Sequence, residues 1–145
     1  MIAGAPFDGA TWLADSSAWF RAGHAEVREP WGVALVGGQI ATSPIVALEL
    51  LFSARSSSEL EAVDRTLARL RTVPMSASVA RAAVVATHEL GSRSAGYHRV
   101  ALPDYLIAAS AEGAGLGVLH YDHHYDRLAE VMSFESRWIA PPGSL

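Results

Sequence analysis

Cysteine is absent from the 145-residue sequence. Disulfide frameworks, thiolate zinc sites, iron–sulfur clusters and cysteine nucleophiles are therefore all excluded. Lysine and asparagine are absent as well, so the 11 basic residues are all arginine, and the 15 acidic residues give a net charge of −4. This mildly acidic balance argues against a protein that coats DNA or lies on a membrane surface.

Long hydrophobic runs are also missing. The longest nearly apolar stretch, from Pro44 to Phe52, contains Glu49 and is far shorter than the roughly 20 residues that span a membrane. The first ten residues lack the basic start and hydrophobic run of a signal peptide. We therefore expect a soluble cytoplasmic protein that does not bind membranes.

Apolar residues make up 50% of the chain and only 18% are charged, which is ample material for one hydrophobic core. No repeat or linker divides the sequence. We expect a single domain over residues 1–145, with 1–10 as an N-terminal extension and 140–145 as a loose tail.

Strand-like and helix-like segments alternate along the chain. Short apolar runs at 11–14, 73–75 and 116–121 are typical of strands. Capping residues, early prolines and periodic apolar positions predict helices that begin near residues 15, 43, 58, 77, 103 and 122; the last is predicted to run through Met132. This alternation indicates an α/β fold with a parallel sheet.

Glu49 lies within an otherwise apolar segment, from Ile45 to Phe52. A buried carboxylate without a partner costs several kcal/mol or becomes protonated. Two interpretations are open. Glu49 either points out of a buried helix or meets an arginine, or it is a ligand held on a rigid, buried element.

Three aspartates lie at predicted helix starts. Asp15 and Asp122 each follow a strand-like run, and Asp104 begins an apolar helix. Any one of them is explained by helix capping. In a parallel sheet, however, the carboxyl ends of the strands line the ligand crevice, where Glu49 and Asp104 can join the other two. Asp126, one helical turn after Asp122, adds a fifth carboxylate.

Carboxylates gathered at one place repel one another unless cations intervene. Oxygen ligands suit hard cations such as Mg²⁺ and Mn²⁺, and such ions support phosphoester hydrolysis. The neighbouring histidines do not predict a zinc site, because His123 and His124 point about 100 degrees apart on a helix and match no zinc spacing. We interpret them as polar surface residues.

Four segments, in this order, closely resemble the PIN-domain ribonucleases, specifically the VapC-type toxins of bacterial toxin–antitoxin pairs. The segments are LADSSAW (13–19), IVALELLFSAR (45–55), LPDYLIAASA (102–111) and GVLHYDHHYDRLAEV (117–131). The likeness runs from about Thr11 to about Met132. It implies a PIN-like α/β/α sandwich, in which helices flank a parallel β-sheet on both faces.

The resemblance also implies an endoribonuclease that uses one or two Mg²⁺ or Mn²⁺ ions. Its catalytic acidic residues would be Asp15, Glu49, Asp104 and Asp122. Asp126 would be a further metal ligand, and Ser17 would orient the carboxylate of Asp15. The family forms homodimers and is inhibited by a cognate VapB-like antitoxin, a segment of which lies across the helices and blocks the acidic crevice.

Substrate contacts are expected from arginines near the ends of the predicted elements. These candidates for RNA contact are Arg21, Arg55, Arg93 and Arg99. Two other functions stay open on the sequence alone. One is a non-catalytic module whose acidic groove binds a basic partner peptide, and the other is a DNA-directed nuclease on the same scaffold.

Overall fold

A computed structural model describes residues 6–145 of the chain. Five short strands form one sheet in which every neighbouring pair is parallel. They are β1 (Trp12–Ala14), β2 (Ile40–Thr42), β3 (Arg71–Thr72), β4 (Gly117–His120) and β5 (Ser136–Trp138). Their order in the sheet is β3-β2-β1-β4-β5, so β1 and β4 are central neighbours.

Within residues 6–145, seven α-helices connect and cover these strands. They are α1 (Ser16–Arg21), α2 (Ala25–Val36), α3 (Pro44–Phe52), α4 (Ser57–Leu67), α5 (Ala77–Arg93), α6 (Leu102–Ala114) and α7 (His123–Leu128). Within the described residues, no helix is long and apolar enough to cross a bilayer.

The side chains of β1 alternate between two hydrophobic cores. Leu13 packs into the larger core with residues of α3, α5 and α6. Trp12 and Ala14 pack into a second core with residues of α2. Because successive side chains of a strand point to opposite faces, helices cover the sheet on both sides, and the predicted α/β/α sandwich is confirmed.

Polar caps determine where most helices begin. The side chains of Asp15, Ser43, Ser56, Ser76 and Asp122 each accept a hydrogen bond from a backbone N–H of the helix that follows. These bonds satisfy N–H groups that have no partner within the helix. Two of these caps lie at the ends of the central strands. Asp15 directly follows β1, and Asp122 follows β4 after one intervening residue.

Several elements differ from the sequence-based expectation. The sequence did not predict α2, β2 or β5, and the strand expected at 73–75 is found two residues earlier as β3. α2 contains Pro30 and has no side-chain cap, so it lacks the signals that predicted the other helices. The last helix ends at Leu128 and not at Met132.

Both ends of the described chain contact the body of the protein. The Oη of Tyr121 accepts a hydrogen bond from the N–H of Leu145 at 2.9 Å, so the expected loose tail is attached at its last residue. At the other end, the carbonyl of Phe7 accepts a bond from Nε1 of Trp12 at 2.9 Å. Of the expected extension 1–10, residues 1–5 lie outside the described part of the chain.

Candidate metal centre

Asp15 is fixed at the point where β1 ends. Its side chain is 3% exposed, and its Oδ2 accepts hydrogen bonds from both the backbone N–H and the hydroxyl of Ser17. The same Ser17 hydroxyl oxygen accepts the N–H of Tyr121, which follows β4, at 2.9 Å. Ser17 therefore orients the carboxylate of Asp15 and connects the ends of the two central strands.

Tyr125 brings a second carboxylate to Asp15. Its buried hydroxyl lies 2.7 Å from Oδ1 of Asp15 and 3.2 Å from Oδ1 of Asp104, a residue of the first turn of α6. Burial and the two carboxylates raise the pKa of Tyr125 well above 10, so the hydroxyl keeps its proton. Both carboxylates thus lie within hydrogen-bonding distance of one oxygen atom.

Asp104 is buried among other acidic groups. Burial raises the pKa of Asp104 to about 6; the hydrogen bond with His124 opposes this rise, and the charges of Asp15 and Asp122 add to it. Burial and the neighbouring negative charges both disfavour the ionised form of the carboxyl group. The surroundings of Asp104 therefore fit a bound cation, whose charge would favour the ionised carboxylate.

Asp104, Asp122 and His124 present ligand atoms to one point in space. Nδ1 of His124 lies 2.8 Å from Oδ2 of Asp104 and 3.8 Å from Oδ1 of Asp122. One ligand atom from each residue lies within 4.8 Å of the other two. Ligand atoms that surround a single ion at about 2.1 Å lie roughly 3 to 4 Å apart, so these three groups fit one cation with little movement.

Glu49 lies beside this cluster on α3. Its Oε1 accepts a hydrogen bond from the hydroxyl of Ser16 at 3.3 Å, and burial and the charge of Asp15 raise its pKa. α3 is not buried on all sides, since Leu48 and Phe52 are 63% and 91% exposed. Glu49 therefore lies at the boundary between the buried face of α3 and an exposed apolar face.

Asp126 is not brought together with the other acidic residues. Its Oδ1 accepts the hydroxyl of Ser136 at 2.7 Å, and its Oδ2 accepts Nε1 of Trp138 at 2.9 Å. Asp122 is the N-cap of α7 with an extended backbone, and its side chain turns back to cap the helix. The four-residue spacing in the sequence predicts that Asp122 and Asp126 lie on one face of α7. That prediction is wrong, because Asp122 precedes the helix and its side chain caps it.

The four candidate arginines occupy different surroundings. The guanidinium of Arg21 lies over the ring of Tyr121, 4.8 Å from the ring centre. Tyr121 directly precedes Asp122 in the sequence. Arg93 is bonded through its guanidinium to the side chain and the carbonyl of Glu130. Arg55 and Arg99 are exposed.

Two residues of the site, His124 and Tyr125, were missed in the sequence analysis. Adjacent histidines do point in different directions, as the helical geometry predicts: His123 packs against Trp138 with ring centres 4.8 Å apart, whereas His124 faces Asp104. That geometry excludes a site that uses both histidines, but it does not exclude one. The predicted cap at Asp122 was the available signal, because it sets the direction of the residues that follow.

Fold and site together define an α/β protein that gathers acidic side chains where the central strands of a parallel sheet end. The family model of the PIN domain matches residues 13–131. The chain belongs to this family.

Curated relatives and solved structures agree with this assignment. The chain is 38% identical to Ribonuclease VapC18 of Mycobacterium tuberculosis over 132 residues, which cover 90% of this chain and 96% of that relative. It is 33% identical to Ribonuclease VapC51 of the same organism over 134 residues, or 92% and 96% of the two chains.

Two solved toxin–antitoxin structures share the fold. VapBC-5 from Mycobacterium tuberculosis matches with a TM-score of 0.64 at 24% identity, covering 89% of this chain and 98% of that one. The DNA-bound VapBC from Salmonella typhimurium matches with a TM-score of 0.71 at 19% identity, covering 90% and 99%.

Proposed function

We propose that this chain is the toxin of a toxin–antitoxin pair, an endoribonuclease that hydrolyses RNA phosphodiester bonds with the help of Mg²⁺ or Mn²⁺. Relatives named Ribonuclease VapC, at 38% and 33% identity over nearly the whole chain, support this activity. The structural observation that carries the proposal is the pair of buried carboxylates, Asp15 and Asp104, that meet at the hydroxyl of Tyr125.

The acidic residues have distinct proposed roles. Asp15, Asp104 and Asp122 would hold one or two divalent cations. Cations bound there would supply the Lewis acidity that activates water and stabilises a leaving oxygen. Glu49 completes the catalytic quartet and is half-buried, so water in the crevice reaches it. Asp126 is outside this ligand group because donors from β5 engage both of its oxygens.

Ser17 and Tyr125 are proposed to position the carboxylates without touching the substrate. Ser17 fixes one oxygen of Asp15, and Tyr125 donates to the other. Held in this way, the carboxylates need little rearrangement when a cation binds.

Arginines that are exposed or close to the site are proposed to contact RNA phosphates. Arg21 is next to the site through Tyr121, and Arg55 and Arg99 are exposed. Arg93 would first have to leave Glu130. Hydrolysis by water should leave 5′-phosphate and 3′-hydroxyl ends on the products.

An apolar groove next to Glu49 is the proposed docking site of a cognate VapB-like antitoxin. Its lining includes Phe20, Leu48, Glu49 and Phe52, and the three apolar members are 52%, 63% and 91% exposed. The two solved structures described above are VapBC toxin–antitoxin proteins, which supports a partner of this kind. An apolar segment would fill the groove, and a basic side chain would reach the acidic crevice.

The chain is proposed to act in the cytoplasm as a homodimer. Val84 and Val85 on α5 are 58% and 55% exposed and form a starting point for mapping the contact between copies. The two alternatives from the sequence analysis, a non-catalytic peptide-binding module and a DNA-directed nuclease, are not favoured.

Asp104→Asn provides the direct test. Wild type and the variant are incubated with total RNA, with Mn²⁺ or with EDTA, after circular dichroism has established that both are folded. We expect EDTA to abolish cleavage and Asp104→Asn to reduce it about 100-fold or more, because the loss of a residue that only orients a metal ligand already costs about 10- to 100-fold. Asp64→Asn, the same chemical change at an exposed position of α4, should cleave at the wild-type rate.

Cleavage that survives EDTA, or that is unaffected in Asp104→Asn, contradicts the metal mechanism. Products with cyclic phosphate ends contradict attack by water. If folded wild type cleaves no RNA in Mn²⁺, the proposal of a ribonuclease fails.

A further inference from the structure

His124 is the nitrogen-bearing member of the candidate metal centre. It is the second residue of α7, and its backbone N–H donates to the cap residue Asp122 at 2.9 Å. This places the ring over the start of α6, with 34% of its side chain exposed and Nδ1 directed at the carboxylate of Asp104. Access from solvent and contact with a buried carboxylate are both features of a ligand position.

The structure assigns a function to this arrangement, and the assignment rests on the proposed metal-dependent activity. We infer that Nδ1 of His124 binds the divalent cation together with Asp104 and Asp122, and that this nitrogen ligand makes the site favour Mn²⁺ over Mg²⁺. The separations of 2.8 and 3.8 Å from Nδ1 to the two carboxylate oxygens match ligands of one ion.

The simpler role for His124 is a hydrogen bond that only orients Asp104. In that role Nδ1 must carry a proton, whereas a metal ligand must offer a lone pair there. The backbone N–H of Ala101 also faces Nδ1, at a long 3.4 Å, and such a contact fits a lone pair. One donor, the N–H of Ala101, and one acceptor, the carboxylate of Asp104, both face this nitrogen. A cation that takes the lone pair of Nδ1 is compatible with these surroundings.

A nitrogen ligand changes which cation is preferred. Mg²⁺ is hard and takes oxygen ligands almost exclusively, whereas imidazole binds first-row transition metals well. A site made only of aspartates and glutamates would discriminate less between Mg²⁺ and Mn²⁺. The preference for Mn²⁺ should therefore depend on a single side chain.

Asn is the substitution that separates the two roles. In His124→Asn the side-chain amide can occupy the place of Nδ1 and still donate to Asp104, but it has no imidazole lone pair. His123→Asn is the matched control, because His123 is exposed and packs against Trp138, away from the cluster. Both variants are full-length chains with one histidine changed.

Binding of Mn²⁺ and Mg²⁺ alone is measured by isothermal titration calorimetry, and Mn²⁺ binding is also followed by pulsed electron paramagnetic resonance. Wild type and His123→Asn should show coupling of Mn²⁺ to an imidazole nitrogen. His124→Asn should lose that coupling, and its Mn²⁺ to Mg²⁺ affinity ratio should fall about tenfold, the scale on which individual groups around a metal affect its affinity.

If wild type binds Mn²⁺ without coupling to an imidazole nitrogen, the inference is wrong, but the proposed ribonuclease function still stands. An unchanged affinity ratio in His124→Asn does the same, because it assigns His124 the orienting role alone. If wild type binds neither ion, the inference fails together with the proposed metal dependence, and RNA cleavage in EDTA then identifies that second failure.

Discussion

Hydrogen bonds orient the acidic side chains of this protein before any cation binds. Ser17 and Tyr125 donate to Asp15, and the ring of His124 contacts Asp104. These contacts keep like charges close together, and the pKa of Asp104 remains at about 6 in spite of the contact with His124. Buried carboxylates held close together in this way destabilise the folded protein unless a cation compensates their charge.

Replacing Asp104 should therefore stabilise the metal-free protein. Because burial raises the pKa of Asp104 from 3.8 to about 6, the folded state binds more protons than the unfolded state between these values, and stability falls as pH rises through them. At pH 7.5 in EDTA, Asp104→Asn should raise the free energy of unfolding by about 1 to 2 kcal/mol, below the ceiling of roughly 3 kcal/mol for a two-unit shift. Urea denaturation measures this difference.

Two further conditions make this stability prediction specific. Near pH 4, where the folded-state carboxyl is protonated, the advantage of Asp104→Asn should disappear. In excess Mn²⁺ the order should reverse, because wild type gains the free energy of binding and the variant does not. A variant that is less stable than wild type at pH 7.5 in EDTA would contradict a strained acidic site.

Among the helices and strands, the elements with local signals were predictable and the others were not. α3 and α5 follow the cap residues Ser43 and Ser76, whose side chains each accept the backbone N–H three residues further on. α2 has neither a side-chain cap nor an uninterrupted interior, since Pro30 lies within it. β5 is a half-buried strand of three residues at the sheet edge, and its place depends on contacts with residues far away in the sequence.

The site divides in a similar way. Asp15 and Asp122 were predictable because the carboxyl ends of parallel strands share one edge of a sheet, and Asp104 because it opens an apolar helix. The directions of His124 and Asp126 depend on how α7 is rotated about its axis, which the cap at Asp122 determines. The spacing of residues along the sequence does not by itself determine how α7 is rotated about its axis.

Asp126 connects α7 to the edge strand through a chain of hydrogen bonds. Burial lowers the pKa of His120 to about 4, and its Nδ1 accepts the N–H of Asp122 at 3.1 Å. Nε2 therefore carries the proton and donates to Ser136, whose hydroxyl donates to Asp126. Trp138 adds a second donor to the same carboxylate.

Removal of this anchor should affect stability and not metal binding. Asp126→Ala leaves two donors of β5 without a partner, and it should lower the free energy of unfolding by about 1 to 2 kcal/mol, the usual scale for lost hydrogen bonds. The affinity for Mn²⁺ should stay within about twofold of wild type, as measured by calorimetry. Asp122→Asn is the contrasting variant, with a large loss of Mn²⁺ affinity. A tenfold weaker Mn²⁺ affinity in Asp126→Ala would return Asp126 to the metal centre.

Over the whole molecule, the formal net charge is no larger than the charge of the four residues of the proposed quartet. The net charge of −4 equals the charge of Asp15, Glu49, Asp104 and Asp122. Without these four of the 15 acidic residues, 11 remain, and the 11 arginines balance them. With the two divalent cations of the proposed mechanism bound, the formal net charge would be zero, which would reduce the repulsion of an RNA phosphate.

Next to this charged crevice lies the apolar groove, and Glu49 belongs to both. A partner that fills the groove can therefore also neutralise the crevice, which would couple binding of the antitoxin to inhibition. The apolar contact should supply most of the affinity and the charged contact should supply orientation.

Phe52→Ser distinguishes the contribution of the apolar groove to antitoxin binding from the contribution of the acidic crevice. The ring is 91% exposed, so the substitution should leave the fold and RNA cleavage unchanged while it weakens binding of the cognate VapB-like antitoxin about tenfold to 100-fold, as expected for an aromatic anchor. Val36→Ser, also 91% exposed but on α2, is the control and should bind the antitoxin normally.

Salt distinguishes the two kinds of contact. Because apolar contacts are not screened by salt, the binding defect of Phe52→Ser should be the same at low and high ionic strength. Any binding defect of Glu49→Gln should shrink as salt is added. Normal inhibition of Phe52→Ser by the antitoxin would place the docking surface elsewhere.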